Sequence, residues 1–124
     1  MPVCPVELTV SMLSGKWRIV IFKELSWGPL RYGRLRQALP GISPKVLTGL
    51  LREMEDEGLV RREVFPEVPP RVEYSLSAKG LSLFVIFKEL RGWGLEAGSD
   101  GKAECRFCKR CRPYIKHDEV RSVI

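Results

Sequence analysis

The sequence predicts a single, mainly α-helical domain of the α+β class, with a short β-hairpin behind several helices. Three observations support this prediction. A helix at 43–57 has clear start and stop residues, and another helix ends three residues before it. Two segments in which apolar and polar residues alternate follow it. A chain of 124 residues is long enough for one hydrophobic core and too short for two. We expect the domain to occupy 1–95, and a linker with a basic tail to occupy 96–124.

The first two helices are predicted from apolar spacing and turn residues. The first, at 7–14, carries apolar residues roughly on one side and ends at Gly15. Ser14 is expected to cap a second helix at 16–26. Apolar residues, beginning with Trp17, nearly encircle this second helix, so it should be the central buried helix.

The next two helices are separated by a tight break. The third is predicted at 32–39 and ends at Pro-Gly, 40–41. Ser43 is a good N-cap for the fourth, Pro44 suits its first position, and Gly58 can adopt the left-handed turn that ends it. A break of three residues between two helices is the spacing of a helix-turn-helix.

The fourth helix is predicted to have two different faces. Its apolar inner face consists of Val46, Leu47, Leu50, Leu51 and Met54. Its outer face consists of Lys45, Thr48, Gly49 and Arg52. An outer face with hydrogen-bond donors and a central Gly suits insertion into a DNA major groove. The plainer interpretation is an amphipathic helix whose polar face is only solvated.

Two segments of alternating pattern follow, at 59–65 and 71–76, and are predicted to pair as antiparallel strands. The connection at 66–70 contains three prolines, which cannot pair as sheet. A β-hairpin directly after a helix-turn-helix is a wing. The order of elements therefore predicts a winged helix-turn-helix.

A long last helix is predicted at 78–93, capped by Ser77. Its apolar surface is larger than one small domain needs to cover, so we expect it to pack against a second copy of the chain. Phe87 is placed on that interface. The alternative is that the helix folds back on its own domain. Gly92 and Gly94 are expected to release the chain into the linker.

Charge and composition narrow the function. The net charge of +6 favours a polyanionic partner, although it also fits a protein that is merely well solvated. No basic N-terminal segment precedes an apolar run, and the apolar stretches are too short to span a bilayer, so we expect no membrane association and a cytoplasmic location. His117 is the only His and no Gly-rich phosphate loop is present, so an enzyme is not indicated.

Several motifs occur in register between about Cys4 and Gly94. They are Cys4-Pro5-Val6, Gly15-Lys16-Trp17, Gly28-Pro29-Leu30-Arg31-Tyr32, Leu39-Pro40-Gly41-Ile42-Ser43, Lys45-Val46-Leu47-Thr48, Leu51-Arg52-Glu53-Met54-Glu55, Gly58-Leu59-Val60, Val68-Pro69-Pro70-Arg71-Val72-Glu73-Tyr74-Ser75-Leu76 and Lys79-Gly80. In these motifs the chain resembles HxlR-type winged helix-turn-helix transcriptional regulators, relatives of the MarR group. The resemblance implies a homodimer with an interface of N- and C-terminal helices. It would bind a double-stranded DNA operator through the recognition helix, 43–57, and the wing, 65–71.

The resemblance also implies which residues contact DNA. These residues are Ser43, Lys45, Thr48, Gly49, Arg52 and Arg71. Arg34, which points away from the apolar stripe of the third helix, is also expected to bind DNA. Arg71, at the base of the wing, would reach a phosphate or the adjacent minor groove. Position 49 is more often a polar, Gln-like residue in the family, and Gly49 departs from that pattern. The alternative function is a winged-helix protein-interaction module without specific DNA binding.

Cys4 is a candidate redox sensor. Some family members sense oxidants or electrophiles through a Cys at this position, and a nearby helix N-terminus favours the thiolate. The plainer interpretation is a small buried hydrophobe. The sequence gives no indication of a small-molecule effector.

The tail contains a candidate metal site. Cys105, Cys108 and Cys111 are separated by two residues each, and His117 could be a fourth ligand of zinc. An iron–sulfur cluster is the alternative metal group, with Cys4 or a partner's Cys completing the thiolates. The remaining alternative is a basic tail whose thiols are free or oxidise together. We expect that no cofactor is required outside this tail.

Overall fold

The computed structural model describes residues 2–97, and within that range the chain forms six helices and three short strands. In chain order they are α1 (Pro5–Leu13), α2 (Arg18–Leu25), β1 (Leu30–Arg31), α3 (Tyr32–Ala38), α4 (Pro44–Asp56), β2 (Val60–Phe65), β3 (Arg71–Leu76), α5 (Ala78–Leu81) and α6 (Phe84–Ala97). The predicted mainly α, α+β class is confirmed. None of the helices in this range is both long enough and apolar enough to cross a membrane.

The three strands form one antiparallel sheet in the order β1-β3-β2. The hairpin of β2 and β3 is in register from Val60 opposite Leu76 to Phe65 opposite Arg71. On its other edge β3 pairs with β1, and β1 leads directly into α3. The sheet therefore attaches the predicted wing to the helix-turn-helix, and both features are confirmed.

The hydrophobic core is built around α2, as predicted. Ile21 and Phe22 are completely buried, and the Phe22 ring packs against Phe87 with the ring centroids 5.3 Å apart. The other buried apolar residues are Leu13, Leu25, Leu35, Leu39, Ile42, Leu47, Leu51, Met54, Leu59, Val60, Leu76, Leu83 and Phe84. Because these residues come from α1 to α4, from both strands of the hairpin and from α6, the helix-turn-helix, wing and α6 share one core.

The boundary between α1 and α2 differs from the prediction. Helix α1 already begins at Pro5, where the fixed φ of proline suits a first helical position. Ser14 does not cap α2. It ends α1 instead, since its N–H donates to the Val10 carbonyl at 2.8 Å. Gly15 then takes a φ of 112°, so the chain turns before α2 begins at Arg18.

The predicted long helix at 78–93 is wrong, because the chain forms two helices there. Ser77 caps the first as predicted, its hydroxyl accepting from the Gly80 N–H at 3.0 Å. The Leu83 N–H then donates to the Gly80 carbonyl at 3.2 Å, a bond across three residues that tightens the turn and interrupts the helix. Helix α6 continues to Ala97, so Gly92 and Gly94 lie inside it and do not end it.

Gly80 is in close contact with the chain segment that leads into the wing. A Cβ placed on Gly80 would lie 2.3 Å from the Leu59 carbonyl oxygen, which is fixed because it accepts from the Ser77 N–H at 3.0 Å. We expect Gly80→Ala to lower the free energy of unfolding by about 1–3 kcal/mol, as overpacking typically does. Urea denaturation measures this loss. The control is Gly49→Ala, which meets no atom within 4 Å and should not destabilise an exposed helix position. Unchanged stability of Gly80→Ala would contradict the packing.

Candidate nucleic-acid interface

Helix α4 begins and ends as the sequence predicts. The Ser43 hydroxyl accepts from the Val46 N–H at 3.1 Å, Pro44 occupies the first turn, and Gly58 has a φ of 78° just after the helix. These local signals fix the length of the helix. Its orientation depends on its faces and on contacts with the rest of the domain.

The inner face of α4 is largely as predicted. Leu47, Leu51 and Met54 are buried in the core. The assignment of Val46 to the core is wrong, because its side chain is 45% exposed, and Leu50 is only partly buried. Val46 and Leu50 are four residues apart, so they lie together at the edge of the apolar face, one helical step from the Leu47–Leu51 row.

The outer face of α4 presents most of the predicted DNA-binding residues to solvent. Lys45, Gly49 and Arg52 are exposed along it. Thr48 is partly covered, because the Tyr32 hydroxyl lies 3.4 Å from its Oγ1. Ser43 is exposed at the end of the helix, although its hydroxyl is occupied by the capping bond.

Helix α3 and the wing both lie next to this outer face, since Tyr32 of α3 contacts Thr48 and Arg62 of the wing lines a cleft with Arg52. Arg34 is exposed on α3, and so belongs to the helix-turn-helix but to a different helix. Between α4 and the wing lies a polar cleft of about 280 Å³, whose lining includes Arg52, Arg62 and Tyr74. Arg62 is exposed on β2, and sequence reasoning did not single it out.

Arg71 is less available than the sequence suggests. Its Nη2 lies 3.2 Å from Glu67 Oε1, and its Nε lies 3.5 Å from Glu73 Oε2. The guanidinium carbon is 3.9 Å from the centre of the Phe65 ring, within the range of a cation–π contact. The side chain is only 27% exposed. Arg71 is therefore held against the wing by two carboxylates and an aromatic ring.

Arg18 links α2 to the C-terminal turn of α4, and sequence reasoning missed it. It is buried at the start of α2, where Nη1 donates to Glu57 Oε2 at 2.6 Å and Nη2 donates to Glu53 Oε2 at 2.9 Å. Nη1 also donates to the Met12 carbonyl at 3.1 Å. Hydrogen bonding to Glu57 raises the pKa of Arg18 above its ordinary value, despite the opposing effect of burial. A basic residue within an apolar helix was the available signal.

The C-terminal end of α4 is also fixed from outside the helix. The Lys79 Nζ donates to the Glu57 carbonyl at 2.7 Å, and the Ser77 hydroxyl donates to the Gly58 carbonyl. A lysine at a helix C-terminus satisfies a carbonyl that has no partner within the helix. Together with Arg18, these contacts hold one end of α4 while Lys45 and Arg52 stay exposed.

A groove of about 510 Å³ runs between α1 and α6 and is almost wholly apolar. We call it the α1–α6 groove, and its lining residues are Pro5, Val6, Thr9, Val10, Leu13, Ser14, Ile19, Ile86 and Leu90. Trp93 also exposes its ring on α6. The placement of Phe87 on an interface is wrong: its side chain is 7% exposed and lies in the core against Phe22. The helix break before α6 directs Phe87 inward and Leu90 outward.

The predicted sensor and metal residues have different outcomes. Cys4 is exposed just ahead of α1, so the interpretation as a buried hydrophobe is wrong. The proposed ligands Cys105, Cys108, Cys111 and His117 lie outside the described residues, and the tail site stays a prediction. Within residues 2–97, no group of three or more His, Cys, Asp or Glu side chains is placed to hold a metal ion.

A capped helix behind a tight turn, flanked by a hairpin that shares its core, defines the class: this is a winged helix-turn-helix protein. The profile of the HxlR-like helix-turn-helix family matches residues 12–101. The chain belongs to that family.

Relatives and solved structures agree with this assignment. An HTH-type transcriptional regulator of Methanothermobacter thermautotrophicus is 45% identical over 96 residues, which cover 77% of this chain and 73% of the relative. The reduced form of the transcriptional regulator YodB from B. subtilis superposes with a TM-score of 0.75 at 34% identity, covering 82% of this chain and all of YodB. The redox regulator HypR in its reduced form superposes with a TM-score of 0.70 at 41% identity, covering 73% of this chain and 90% of HypR. The protein is a transcriptional regulator of the helix-turn-helix type.

Proposed function

We propose that the protein binds a specific operator in double-stranded DNA as a homodimer, with α4 in the major groove and the wing on the backbone or in the minor groove. The observation that carries this proposal is the division of α4 into a buried row and an outer face. Leu47 and Leu51 fix the helix in the core, while Lys45 and Arg52 stay exposed with their charges available. A rigidly held helix with exposed donors can read base edges.

The basic residues around α4 suit the phosphate backbone that borders a major groove. Arg34 is exposed on α3, the first helix of the helix-turn-helix. Arg52 and Arg62 line the polar cleft between α4 and the wing. Phosphate contacts of this kind position a protein on DNA, and base contacts supply the specificity. We therefore assign Lys45 and Thr48 to base reading, and the three arginines to the edges of the groove.

The α1–α6 groove supports the homodimer. Val6 and Leu90 line this apolar surface, and Trp93 exposes its ring on the same last helix. A contiguous apolar surface of this kind is costly to leave in water and is typical of a protein–protein contact. In a two-fold dimer the same surface would be buried on both copies, which places two copies of α4 for two half-sites.

Redox control through Cys4 is the regulatory part of the proposal. Its thiol is exposed immediately before α1, and Pro5 of α1 lines the α1–α6 groove. A modification of Cys4 would therefore act at the edge of the proposed dimer interface. The similarity to the redox regulator HypR supports this assignment. A cytoplasmic location follows from the same proposal, because the operator is in DNA.

Removing single charges from α4 tests the assignment of the recognition helix. We expect Lys45→Ala and Arg52→Ala each to weaken operator binding by about 1–3 kcal/mol, because each removes a base or phosphate contact. Fluorescence anisotropy with the operator duplex measures the loss, and thermal unfolding checks that the fold is kept. The control is Lys16→Ala, which removes the same charge from an exposed position ahead of α2. Wild-type affinity in both α4 variants would contradict the placement of α4 in the major groove. Wild-type protein that prefers no DNA sequence would instead favour the alternative, a winged-helix protein-interaction module.

A further inference from the structure

The outer half of the wing has the opposite charge from the rest of the protein. Between residues 63 and 73 the chain contains Glu63, Glu67 and Glu73 against the single basic residue Arg71, a net charge of −2 in a chain whose net charge is +6. This outer half of the wing repels a polyanion wherever it approaches without a compensating contact. A wing that served only general affinity for DNA would carry the opposite charge.

Arg71 forms ion pairs with Glu67 and Glu73, and these two glutamates differ in how firmly the structure holds them. Glu73 lies in β3, directly opposite Arg31 in the register with β1, and its side chain is 23% exposed. Glu67 lies in the loop between β2 and β3, and its side chain is 51% exposed. Of the two carboxylates, Glu67 is the one that can turn into water without disturbing the sheet. Because Glu67 is half-exposed on a loop, its pair with Arg71 is held weakly, and a phosphate that is correctly placed can replace the carboxylate.

We propose that Glu67 is a specificity-determining residue, which limits sequence-independent binding by competing with DNA phosphate for Arg71. This inference rests on the proposed function. Arg71 lies opposite Phe65 at the loop end of the hairpin. When α4 is seated on its operator, this end of the wing is held beside the backbone, and Arg71 exchanges Glu67 for a phosphate. On random DNA α4 is not seated, so Arg71 stays paired with Glu67 and the negative outer half of the wing weakens the complex. The Arg71–Glu67 contact therefore weakens binding mainly to DNA sequences other than the operator.

Glu67→Gln tests this inference, because it removes the carboxylate charge and keeps the size of the side chain. We expect the Kd for a random-sequence duplex to fall about 5- to 10-fold at a fixed salt concentration, and the Kd for the operator to change by less than about twofold. The dependence of log K on log salt for random DNA should steepen by about one unit, because Arg71 then displaces one more counterion. The ratio of operator to random affinity should fall accordingly.

Two variants separate this mechanism from a general charge effect. Glu63→Gln removes the same charge from an exposed position on the same wing, where no ion pair with Arg71 exists. It should leave the affinity ratio within about twofold of wild type. Glu67→Gln combined with Arg71→Ala should lose the gain on random DNA, because the cation that Glu67 restrains is gone.

Three results would overturn the inference. An affinity ratio unchanged by Glu67→Gln shows that Glu67 does not restrain Arg71. An equal drop in the ratio for Glu63→Gln, or a gain on random DNA that persists in the double variant, shows that only the general charge of the wing matters. In each of these cases wild-type protein still prefers its operator and the proposed function stands. Wild-type protein that binds no DNA would instead overturn the proposed function itself.

Discussion

Arg18→Ala is expected to lower the free energy of unfolding by about 3 kcal/mol, the largest loss that we expect from any single polar residue of this protein. The substitution removes the hydrogen bonds to Glu53, Glu57 and the Met12 carbonyl from a buried position and leaves a cavity. It also releases the end of α4 from α2. Urea denaturation followed by circular dichroism measures the loss of stability.

Three control variants define the origin of that loss. Arg18→Met fills most of the volume without the charge, so the difference between it and Arg18→Ala reports packing. Arg18→Lys keeps the charge, but a single ammonium cannot reach both carboxylates in the same way as a guanidinium, and it should be intermediate. Arg36→Ala removes an exposed arginine from α3 and should cost less than about 0.5 kcal/mol. A loss below that value for Arg18→Ala would mean that the contacts do not hold α4.

Leu90→Lys is expected to convert the proposed dimer into monomers, with a rise of at least about 100-fold in the dimer dissociation constant. Leu90 lines the α1–α6 groove and is 51% exposed in the single chain. In a symmetric dimer the substitution occurs twice, and each buried ammonium would lose its water without a partner. Analytical ultracentrifugation at several protein concentrations measures the constant, and far-UV circular dichroism checks that the helices are kept.

The matched control for this prediction is Leu81→Lys. Leu81 is a similarly exposed leucine on α5, outside the α1–α6 groove, so its substitution should leave the association unchanged. Phe87→Ser behaves differently from both, because it removes a ring from the core and should destabilise the monomer by about 3–5 kcal/mol. A Leu90→Lys protein that dimerises as tightly as wild type would exclude the α1–α6 groove as the interface.

The elements with strong local signals were predictable from the sequence. Ser43, Pro44 and Gly58 determine where α4 begins and ends through bonds and dihedral angles within a few residues. The alternating pattern at 71–76 reproduces β3 residue for residue. In these places the conformational preference of the local sequence agrees with the final fold, so the sequence pattern is sufficient to predict the element.

The features that the sequence did not predict depend on contacts between distant residues. Arg18 meets Glu53 and Glu57 across 35 and 39 positions, so no local pattern joins them. The break between α5 and α6 follows from the tight turn at Leu83, and it decides that Phe87 faces the core. Continuous helical periodicity across 78–93 concealed the break and placed that ring on the wrong side.

Only part of the candidate site could be predicted from the sequence. Lys45, Gly49 and Arg52 are exposed where the helical spacing places them, because spacing determines which side of a helix a residue occupies. The state of Arg71 was not predictable, since its partners Glu67 and Glu73 come close only when the wing turns back on itself. These two carboxylates restrain the guanidinium of Arg71, which the sequence alone suggests is free.

Selection of bound fragments from genomic DNA by the purified protein, followed by footprinting of the best fragment, decides whether the protein binds a specific operator as a dimer. We expect an imperfect palindrome with half-sites about one helical turn, roughly 34 Å, apart, because a two-fold dimer presents two copies of α4. Binding should weaken steeply with salt, as phosphate contacts require. No fragment bound more tightly than random DNA, or a footprint over one unrepeated half-site, would contradict a dimeric, sequence-specific regulator.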